Sequence, residues 1–159
     1  MNYVIRKATN EDVSKIAKLI FHIWTKEYNF KVSPKNYPDL QDIEQHYHQK
    51  NDTFLVAALD EKIIGTIACS QLEKNIFVLK RMFVQSNVRR KGVAQALLNR
   101  LLKVYLPEAI FYLSTKEGLA IAAKKFYLKN RFEVISKNDL PNNFPIFYED
   151  NLFMRKINE

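Results

Sequence analysis

The sequence is poor in cysteine and contains no long apolar segment. Its one cysteine, Cys69, excludes an internal disulfide, and no run approaches the roughly 18 consecutive apolar residues of a transmembrane helix. Residues 1–7 also lack the extended apolar core of a secretory signal. Because these absences together are typical of the reducing cytoplasm, we predict a cytoplasmic protein that is not embedded in a membrane.

Paired metal ligands are also missing from the sequence. His46 and His48 are two positions apart, a spacing that directs their side chains away from each other on a helix, and Cys69 has no ligand close to it in sequence. Zinc motifs usually show their ligands in closely spaced pairs. We therefore predict no metal site, and we expect Cys69 to pack as a small hydrophobic side chain.

Acidic residues are scarce in one segment. Residues 76–131 contain twelve lysines and arginines but only two carboxylates, Glu108 and Glu117. The formal net charge of +8 is therefore concentrated there. A concentrated positive charge attracts polyanions such as nucleic acid, an anionic membrane or a phosphorylated cofactor. Charge alone leaves open a basic surface that contacts only solvent.

The chain length predicts one domain, residues 1–159, and the apolar periodicity predicts a defined order of strands and helices within it. Thr9 and Asp12 have the spacing of a capping box before the first helix. The expected strands cover residues 3–7, 53–59, 62–71, 76–84, 109–114, 132–136 and 152–157. The expected helices cover residues 13–24, 39–48, 93–105 and 119–127.

The order of the elements is therefore β-α-α-β-β-β-α-β-α-β-β. The strand–helix–strand succession within residues 76–115 indicates a parallel pair with a helical crossover. The earlier strands and the final pair are expected to be antiparallel. We predict an α/β protein in which about four helices flank a mixed, mostly antiparallel sheet of about seven strands.

The segment with the most chemical information joins a strand, Leu79 to Val84, to the helix that begins after Gly92. Glycine in this turn permits positive φ or close backbone approach. The first N–H groups of the helix lack intrahelical partners, and the helix dipole adds positive potential. Together with the positive charges of Arg89, Arg90 and Lys91, this arrangement favours a pyrophosphate-binding loop. The alternative is an exposed basic turn.

Three positions of this loop match a family signature. Arg89, Gly92 and Ala94 fit Gln/Arg-x-x-Gly-x-Gly/Ala between the fourth strand and the third helix. The sequence resembles the GNAT (GCN5-related) N-acetyltransferases, and the resemblance extends over nearly the whole chain. It also includes residues 5–9, residues 63–65, and Phe126-Tyr127 followed by Phe132. The motif by itself is weak, but motif, element order and length agree.

The resemblance implies the acyl-CoA N-acyltransferase fold, in which the central parallel pair splays apart. It also implies acetyl-CoA as the donor, with no metal, and direct transfer to a primary amine in a ternary complex. The implied contacts of the pyrophosphate are the backbone amides of Arg89, Arg90, Lys91, Gly92, Val93 and Ala94. The main chain of Met82, Phe83 and Val84 would pair with the pantetheine arm, and an amide near Met82 would polarise the thioester carbonyl. Homodimers are frequent in the family, so the resemblance also allows one here.

Tyr127 is the side chain that the resemblance assigns to chemistry. In the family, a tyrosine five positions before a phenylalanine protonates the departing thiolate, and Tyr127 and Phe132 have this spacing. A tyrosine hydroxyl, with a pKa of about 10, is suited to protonate a thiolate. Periodicity alone favours a different interpretation, a core tyrosine on an amphipathic helix.

The sequence departs from the family pattern at three positions. Ala120 replaces an asparagine that contacts the cofactor, and Arg131 replaces the glycine before Phe132. We expect Asn130 to take the left-handed conformation at the end of the helix instead. Leu79 stands where some members have a glutamate base. The general base is therefore open among Glu27, Glu73, Glu149 and a chain of water molecules.

The acceptor side is expected to comprise residues 27–48 and 136–151. Its carboxylates are Glu27, Asp39, Asp42, Glu44, Asp139, Glu149 and Asp150, and its aromatic residues are Tyr28, Phe30, Tyr37, Phe144, Phe147 and Tyr148. Such a lining would suit a cationic amine with an apolar body. Equally, the carboxylates could face solvent while the aromatic rings anchor the loops.

The predicted function is thus acetyl transfer from acetyl-CoA to a small-molecule or peptide amine. Two alternatives stay open at this point. One is a CoA-binding regulatory module of the same fold with weak or no turnover. The other is a nucleic-acid-binding protein that uses the basic segment, although the sequence lacks a recognisable reading helix or an aromatic RNA-binding signature.

Overall fold

The chain has the predicted order of elements in a computed structural model that describes residues 1–118, 121–147 and 149–159. Within these residues there are seven strands and four α-helices. The strands are β1 (Val4–Lys7), β2 (Thr53–Leu59), β3 (Lys62–Glu73), β4 (Ile76–Val84), β5 (Ile110–Thr115), β6 (Glu133–Ile135) and β7 (Leu152–Ile157). The helices are α1 (Val13–His22), α2 (Ile43–His46), α3 (Val93–Leu102) and α4 (Ile121–Lys129).

The seven strands form one sheet with the order β1-β2-β3-β4-β5-β7-β6. β2 pairs antiparallel with β1 and with β3, and β7 pairs antiparallel with β5 and with β6. β4 and β5 are parallel, in a register that extends from Ile76 opposite Ile110 to Val78 opposite Tyr112. These pairings confirm the predicted mixed, mostly antiparallel sheet and its parallel pair.

The described residues are divided into two compact units. The first comprises residues 1–70 and 80–104, and the second comprises residues 71–79 and 105–159. β4 contributes to both units, because the boundary falls between Leu79 and Lys80. The single domain expected from chain length stays a prediction, and each unit is described by itself below.

The first unit buries the apolar face of α1. Asp12 stands directly before this helix, where its carboxylate accepts a hydrogen bond from the Thr9 N–H at 3.0 Å. The same carboxylate pairs with Arg6 Nη1 at 2.7 Å. The contact between Thr9 and Asp12 is one half of the predicted capping box. The fully or nearly fully buried residues of α1 are Ile16, Leu19 and Ile20.

The first helix does not remain α-helical to Trp24, as its periodicity predicted. A π-helical turn, Ile23–Glu27, follows α1, and the Tyr28 N–H donates to the Ile23 carbonyl at 3.0 Å. The Thr25 hydroxyl donates to the Phe21 carbonyl at 2.7 Å, so a side chain competes with the backbone for an acceptor in this turn. Such π-helical turns occur frequently at functional sites.

The second helix is shorter than the predicted span of residues 39–48. Pro38–Leu40 forms a separate 3-10 turn, and α2 covers only Ile43–His46. Asp42 causes the separation, because its side chain accepts a hydrogen bond from the Gln45 N–H at 3.1 Å. An aspartate in this N-cap position begins a new helix rather than continuing the preceding turn.

The second unit is built around β5 and β7. Phe111 of β5 and Met154 of β7 are fully buried. Asn158, just after β7, donates from its side-chain amide to the carbonyl oxygens of Tyr105 and Leu106 at 3.0 and 3.1 Å. These bonds fasten the end of β7 to the turn that precedes β5.

The turn after α4 differs from the expectation. Arg131, and not Asn130, takes the left-handed conformation, with φ of 68°. Asn130 instead donates from its side chain to the Phe126 carbonyl at 2.9 Å, which keeps it within the last helical turn. The prediction for Asn130 was wrong because the helical hydrogen bonding continues through Asn130, whose N–H donates to the Phe126 carbonyl at 3.2 Å. The turn is nevertheless made, with an arginine where the family usually has glycine.

Candidate functional site

The loop between β4 and α3 has the geometry expected of an anion-binding turn. It contains a 3-10 turn, Ser86–Val88, and then two residues with positive φ, Arg90 at 62° and Gly92 at 84°. Gly92 is the residue directly before α3, a helix of ten residues. The N–H groups in the first turn of an α-helix have no intrahelical acceptors, so this end of α3 presents donors and positive potential.

Gly65 of β3 holds the first turns of α3 close to the sheet. A Cβ atom at this position would lie 3.0 Å from Leu97 Cδ1, 3.2 Å from Val93 Cγ1 and 3.3 Å from the Phe83 carbonyl oxygen. These distances are shorter than most Cβ contacts, so a larger residue here would require its neighbours to shift. The sequence analysis did not assign this role, although a glycine inside an apolar strand is the signal for close packing.

Arg89 has protein partners for its guanidinium. Nη1 pairs with Glu27 Oε1 at 2.6 Å, and Nε donates to the Val84 carbonyl at 2.9 Å. Arg90 and Lys91 are exposed. The phosphate-binding role of these side chains stays a prediction. Arg89 connects the loop to the π-helical turn and to the end of β4.

The end of β4 is held by an anchored side chain and by a contact to its backbone. Met82, Phe83 and Val84 are all partly buried. The Phe83 ring packs nearly perpendicular to Trp24, at 5.7 Å between ring centroids. The Val84 carbonyl already accepts a hydrogen bond from Arg89, and a carbonyl oxygen can accept two. The backbone of Met82 to Val84 is thus held in place by Phe83 on one side and by Arg89 at its end.

A buried polar network lies at Arg81, next to these residues. Arg81 Nε and Nη2 donate to Asp39 Oδ2 and Oδ1, each at 3.0 Å, in a bidentate pair whose side chains are only 9% and 13% exposed. The Tyr47 hydroxyl donates to Asp39 Oδ2 at 2.8 Å. The guanidinium also stacks on Trp24 and Tyr37, at 5.5 and 5.7 Å from the ring centroids.

Electrostatics keep this network in a single protonation state. Burial raises the pKa of the Asp39 carboxyl, but the hydrogen bond and the charge of Arg81 outweigh it and leave that pKa below its ordinary value. Burial and the Asp39 charge both raise the pKa of Tyr47, so its hydroxyl stays protonated and donates. The sequence analysis missed Arg81, which has φ of 56° within β4.

The carboxylates assigned to the acceptor side all have protein partners, and the lining for a cationic amine stays a prediction. Asp39 pairs with Arg81, and Glu27 pairs with Arg89. The others are engaged as follows: Asp42 with Asn10 and Gln45, Glu44 with the Asn10 N–H, Asp139 with Ser136, Glu149 with Lys116, and Asp150 with the Ser114 hydroxyl.

The aromatic residues of the same segments act as anchors where the structure describes them. Tyr37 packs on Trp24 at 4.6 Å, and Tyr28 packs on Phe30 at 5.8 Å. Phe144 packs on Tyr112 at 6.4 Å, whereas Phe147 is 47% exposed. Tyr148 lies outside the described residues. The alternative stated from the sequence, that these rings hold the loops, fits the contacts of Tyr28, Tyr37 and Phe144.

Tyr127 and Phe132 lie close together in the second unit. Their ring centroids are 5.2 Å apart, and the Phe132 N–H donates to the Tyr127 carbonyl at 3.0 Å. Tyr127 is 7% exposed and also packs on Phe126. Leu79 is buried as well and offers no base. Ala120, the other departure from the family pattern, lies outside the described residues.

No group of three or more potential metal ligands is found among the described residues. His46 Nδ1 lies 2.9 Å from the Asp42 carbonyl oxygen, and Cys69 is buried and not part of a disulfide. No helix in the described part of the chain is both long and apolar enough to cross a membrane.

Sequence comparisons relate the chain to known acetyltransferases. Residues 1–132 match the acetyltransferase (GNAT) family. An N-acetylaspartate synthetase of Xenopus tropicalis is 43% identical over 67 residues, which are 41% of this chain and 25% of that protein. One from Rattus norvegicus is 34% identical over 105 residues, 64% of this chain and 35% of that protein. The matched region thus spans about a third or less of these relatives.

Solved structures of GNAT acetyltransferases share the fold. A GNAT-family acetyltransferase of Staphylococcus aureus Mu50 superposes with a TM-score of 0.90 at 28% identity, covering 99% of this chain and 100% of that chain. The PaiA N-acetyltransferase of Thermoplasma acidophilum, solved in complex with coenzyme A, superposes with a TM-score of 0.71 at 19% identity and 99% coverage of both chains. The family match over residues 1–132, joined to this fold and to the loop before α3, leads to one conclusion: the chain belongs to the GNAT acetyltransferase family.

Proposed function

We propose that the protein transfers the acetyl group of acetyl-CoA directly to a primary amine. The observation that carries the proposal is the loop before α3, where Arg90 and Gly92 have positive φ and a helix N-terminus follows. This loop has the backbone donors and the positive charge that a pyrophosphate requires. The related PaiA structure was solved with coenzyme A, which supports the same ligand for this fold.

In the proposed donor site, backbone N–H groups bind the cofactor directly and basic side chains add positive charge. The N–H groups of Gly92, Val93 and Ala94 would bind the pyrophosphate, and Arg90 and Lys91 would add full positive charges. The main chain of Met82 to Val84 would pair with the pantetheine arm. One amide near Met82 and Phe83 would donate to the thioester carbonyl, which develops negative charge when the amine attacks.

Acetyl transfer then requires one bond to form and one to break. The neutral amine nitrogen attacks the carbonyl carbon, the carbon–sulfur bond breaks, and the thiolate leaves. We assign the protonation of this thiolate to the Tyr127 hydroxyl, which regains its proton after the amine has released one. Glu27 is poorly suited to act as the general base, because its carboxylate is paired with Arg89. An amine that arrives uncharged would release its proton to solvent.

The names of the relatives suggest which acceptors to test first. Both relatives described above are named N-acetylaspartate synthetase. Aspartate is therefore the first acceptor to assay, followed by other amino acids, peptide N-termini, aminoglycosides and polyamines. The ion pairs of Asp39 with Arg81 and of Glu27 with Arg89 reduce the negative charge that these two carboxylates could offer to a polycation.

Two experiments test the proposal: titration with acetyl-CoA and substitution of Tyr127. Calorimetric titration should show acetyl-CoA binding, and no binding at tens of micromolar ligand would refute the proposed function. With an acceptor identified, Tyr127→Phe should lower kcat about 100-fold or more and change its dependence on pH, because a general acid contributes on that scale. Tyr112→Phe is the matched control, since Tyr112 is buried to the same 7% exposure in the same unit. Unchanged turnover of Tyr127→Phe across pH would remove Tyr127 from the mechanism.

A further inference from the structure

Arg81 interrupts the extended backbone of β4. Its φ of 56° lies in the left-handed region, although the residues on both sides of it belong to the strand and Arg81 carries a Cβ atom. This conformation costs free energy in any residue other than glycine. Such strain persists only where the surrounding structure holds it, and it is concentrated at functional sites. The contacts of Arg81 must therefore outweigh the cost of its backbone conformation.

Two independent sets of contacts hold this conformation. Thr66 of β3 is fully buried, and its hydroxyl donates to the Arg81 carbonyl at 2.6 Å. At the other end of the residue, the guanidinium forms the bidentate pair with Asp39 and lies over the rings of Trp24 and Tyr37. All of these residues belong to the first unit. Arg81 is thus fixed both at its carbonyl and at its guanidinium.

The contact with Thr66 determines the direction of the next N–H group. No cis peptide bond is found among the described residues, so the Arg81 carbonyl and the Met82 N–H point in opposite directions. Because the carbonyl points towards Thr66 of β3, the Met82 N–H points away from β3. In the described part of the chain, the pairing of β4 with β5 extends only from Ile76 to Val78, so it does not reach this N–H.

The change at Arg81 is local, because β3 stays beside β4 on the far side of it. The Gln85 N–H donates to the Ile64 carbonyl at 2.9 Å. A Cβ atom at Gly65 would lie 3.3 Å from the Phe83 carbonyl oxygen. One peptide group is therefore rotated without separation of the two strands. Local irregularities of this kind are frequent next to active sites, where they redirect a single group.

We infer that Thr66 and Arg81 are positioning residues, which direct the Met82 N–H towards the thioester carbonyl of acetyl-CoA. The inference rests on the proposed acetyltransferase function and names the amide that polarises the thioester. When the amine attacks, negative charge develops on the carbonyl oxygen, and an N–H that already points at it stabilises this charge. In this assignment, neither side chain contacts the reacting atoms. A Thr66 hydroxyl that only satisfied a buried carbonyl would affect stability and leave the bound thioester unchanged.

The carbonyl carbon of bound acetyl-CoA reports this hydrogen bond directly. The protein is saturated with acetyl-CoA that carries carbon-13 at the carbonyl and is examined by NMR. A hydrogen bond to the carbonyl oxygen moves this resonance downfield of its position in the free thioester. We expect a downfield shift in the wild type, a loss of shift in Thr66→Val, and the wild-type shift in Thr66→Ser, which keeps the hydroxyl.

Turnover and cofactor affinity should separate in Thr66→Val. Once an acceptor is identified, kcat should fall about tenfold or more while CoA binds within about twofold of the wild type, because a misdirected oxyanion donor affects the transition state and not cofactor binding. A purely structural role would lower the melting temperature without this split. Thr66→Ser should restore most of kcat.

A glycine and an alanine variant at Arg81 test the backbone conformation. Arg81→Gly and Arg81→Ala are each combined with Asp39→Asn, so that no buried carboxylate is left without its partner. Both variants lose the guanidinium contacts, but only glycine adopts positive φ without strain. We therefore expect the carbonyl shift to be retained with glycine and lost with alanine.

Two further variants separate the proposed role from damage to the fold. Thr53→Val makes the same substitution at another buried threonine of the first unit and should leave the carbonyl shift unchanged. If Thr66→Val does not fold, Thr66→Cys takes its place, because a thiol is a weaker donor of similar size. Thermal unfolding and CoA binding check the integrity of each variant.

The possible outcomes distinguish the inference from the proposed function. If acetyl-CoA binds to the wild type without a downfield shift, or if Thr66→Val keeps the full shift, the inference is overturned and the proposed function is unaffected. Equal shifts in the glycine and alanine variants, or an equal loss in Thr53→Val, would overturn it as well. If the shift depends on Thr66 but no amine is acetylated, the positioning stands and the proposed function fails. If acetyl-CoA does not bind, both fail.

Discussion

Replacing Arg131 with glycine should stabilise the protein. Arg131 has φ of 68° in the turn between α4 and β6. A residue with a Cβ atom loses about 1–2 kcal/mol in this left-handed conformation. Glycine adopts it without strain but loses about 0.5–1 kcal/mol more conformational entropy on folding than alanine does. The difference gives the glycine variant a net gain of about 0.5–1 kcal/mol in the free energy of unfolding.

Arg131→Ala is the control that isolates the backbone. Both variants lose the ion pair of Arg131 Nη1 with Glu159 Oε1, at 2.7 Å, but only the glycine variant loses the strain. The two side chains of this pair are 73% and 65% exposed, so solvent screens the interaction and its loss matters little. The comparison of glycine with alanine therefore measures the left-handed conformation itself.

Thermal and urea unfolding of the two variants provide the measurement. A gain of about 1 kcal/mol corresponds to a rise in Tm of about 2–4 °C for a protein of this size. Arg131→Asn should fall between glycine and alanine, because asparagine tolerates the left-handed region. If the glycine variant unfolds at the same temperature and urea concentration as the alanine variant, the assignment of strain to Arg131 is refuted.

Two further predictions concern the donor loop. Gly65→Ala introduces a Cβ atom 3.0 Å from Leu97 Cδ1 and 3.3 Å from the Phe83 carbonyl oxygen, so we expect a loss of about 1 kcal/mol in unfolding free energy and weaker binding of acetyl-CoA by calorimetry. Leu97→Val in the same chain should restore part of this binding, and binding equal to the wild type in Gly65→Ala would contradict the close approach. Glu27→Gln removes a negative charge 2.6 Å from Arg89 and leaves the Arg89 bond to Val84 in place, so acetyl-CoA should bind about threefold more tightly at low salt and equally at high salt. Glu61→Gln is the exposed control. Weaker binding of acetyl-CoA by Glu27→Gln would show that Glu27 positions the loop. A large loss of kcat would show that Glu27 acts as the base.

Local sequence patterns predicted the strands well where apolar runs end at turn residues. The expected spans 53–59, 76–84 and 152–157 coincide with β2, β4 and β7. The turn at Asp60 has the positive φ that its residue type tolerates, at 55°. Helix ends were predicted less well, because they depend on side chains that compete for backbone groups. Thr25 in the π-helical turn and Asp42 before α2 are such side chains.

The loop of the candidate site could be predicted because the residues that define it are consecutive in the sequence. Gly92 lies directly before a helix with a strong apolar stripe, and the structure places it there with positive φ. The partners of its neighbours were not predictable. Arg89 pairs with Glu27 and Arg81 pairs with Asp39, and in each case the two residues are brought together only by the fold. From the sequence alone, the carboxylates of these loops could be read as unpaired groups that line an acceptor site, whereas in the structure Asp39 and Glu27 form ion pairs.

The position of β7 has a consequence for the order in which the chain acquires its structure during synthesis. All residues of the first unit precede residue 105, so its internal pairings can form while the remainder is still being made. In the second unit, β7 pairs with both β5 and β6. Since a nascent chain grows from its N-terminus, β5 and β6 emerge before the strand that joins them. Until residues 152–157 follow, both lack their β7 partner, and an unpaired strand edge is a site at which other nascent chains can aggregate.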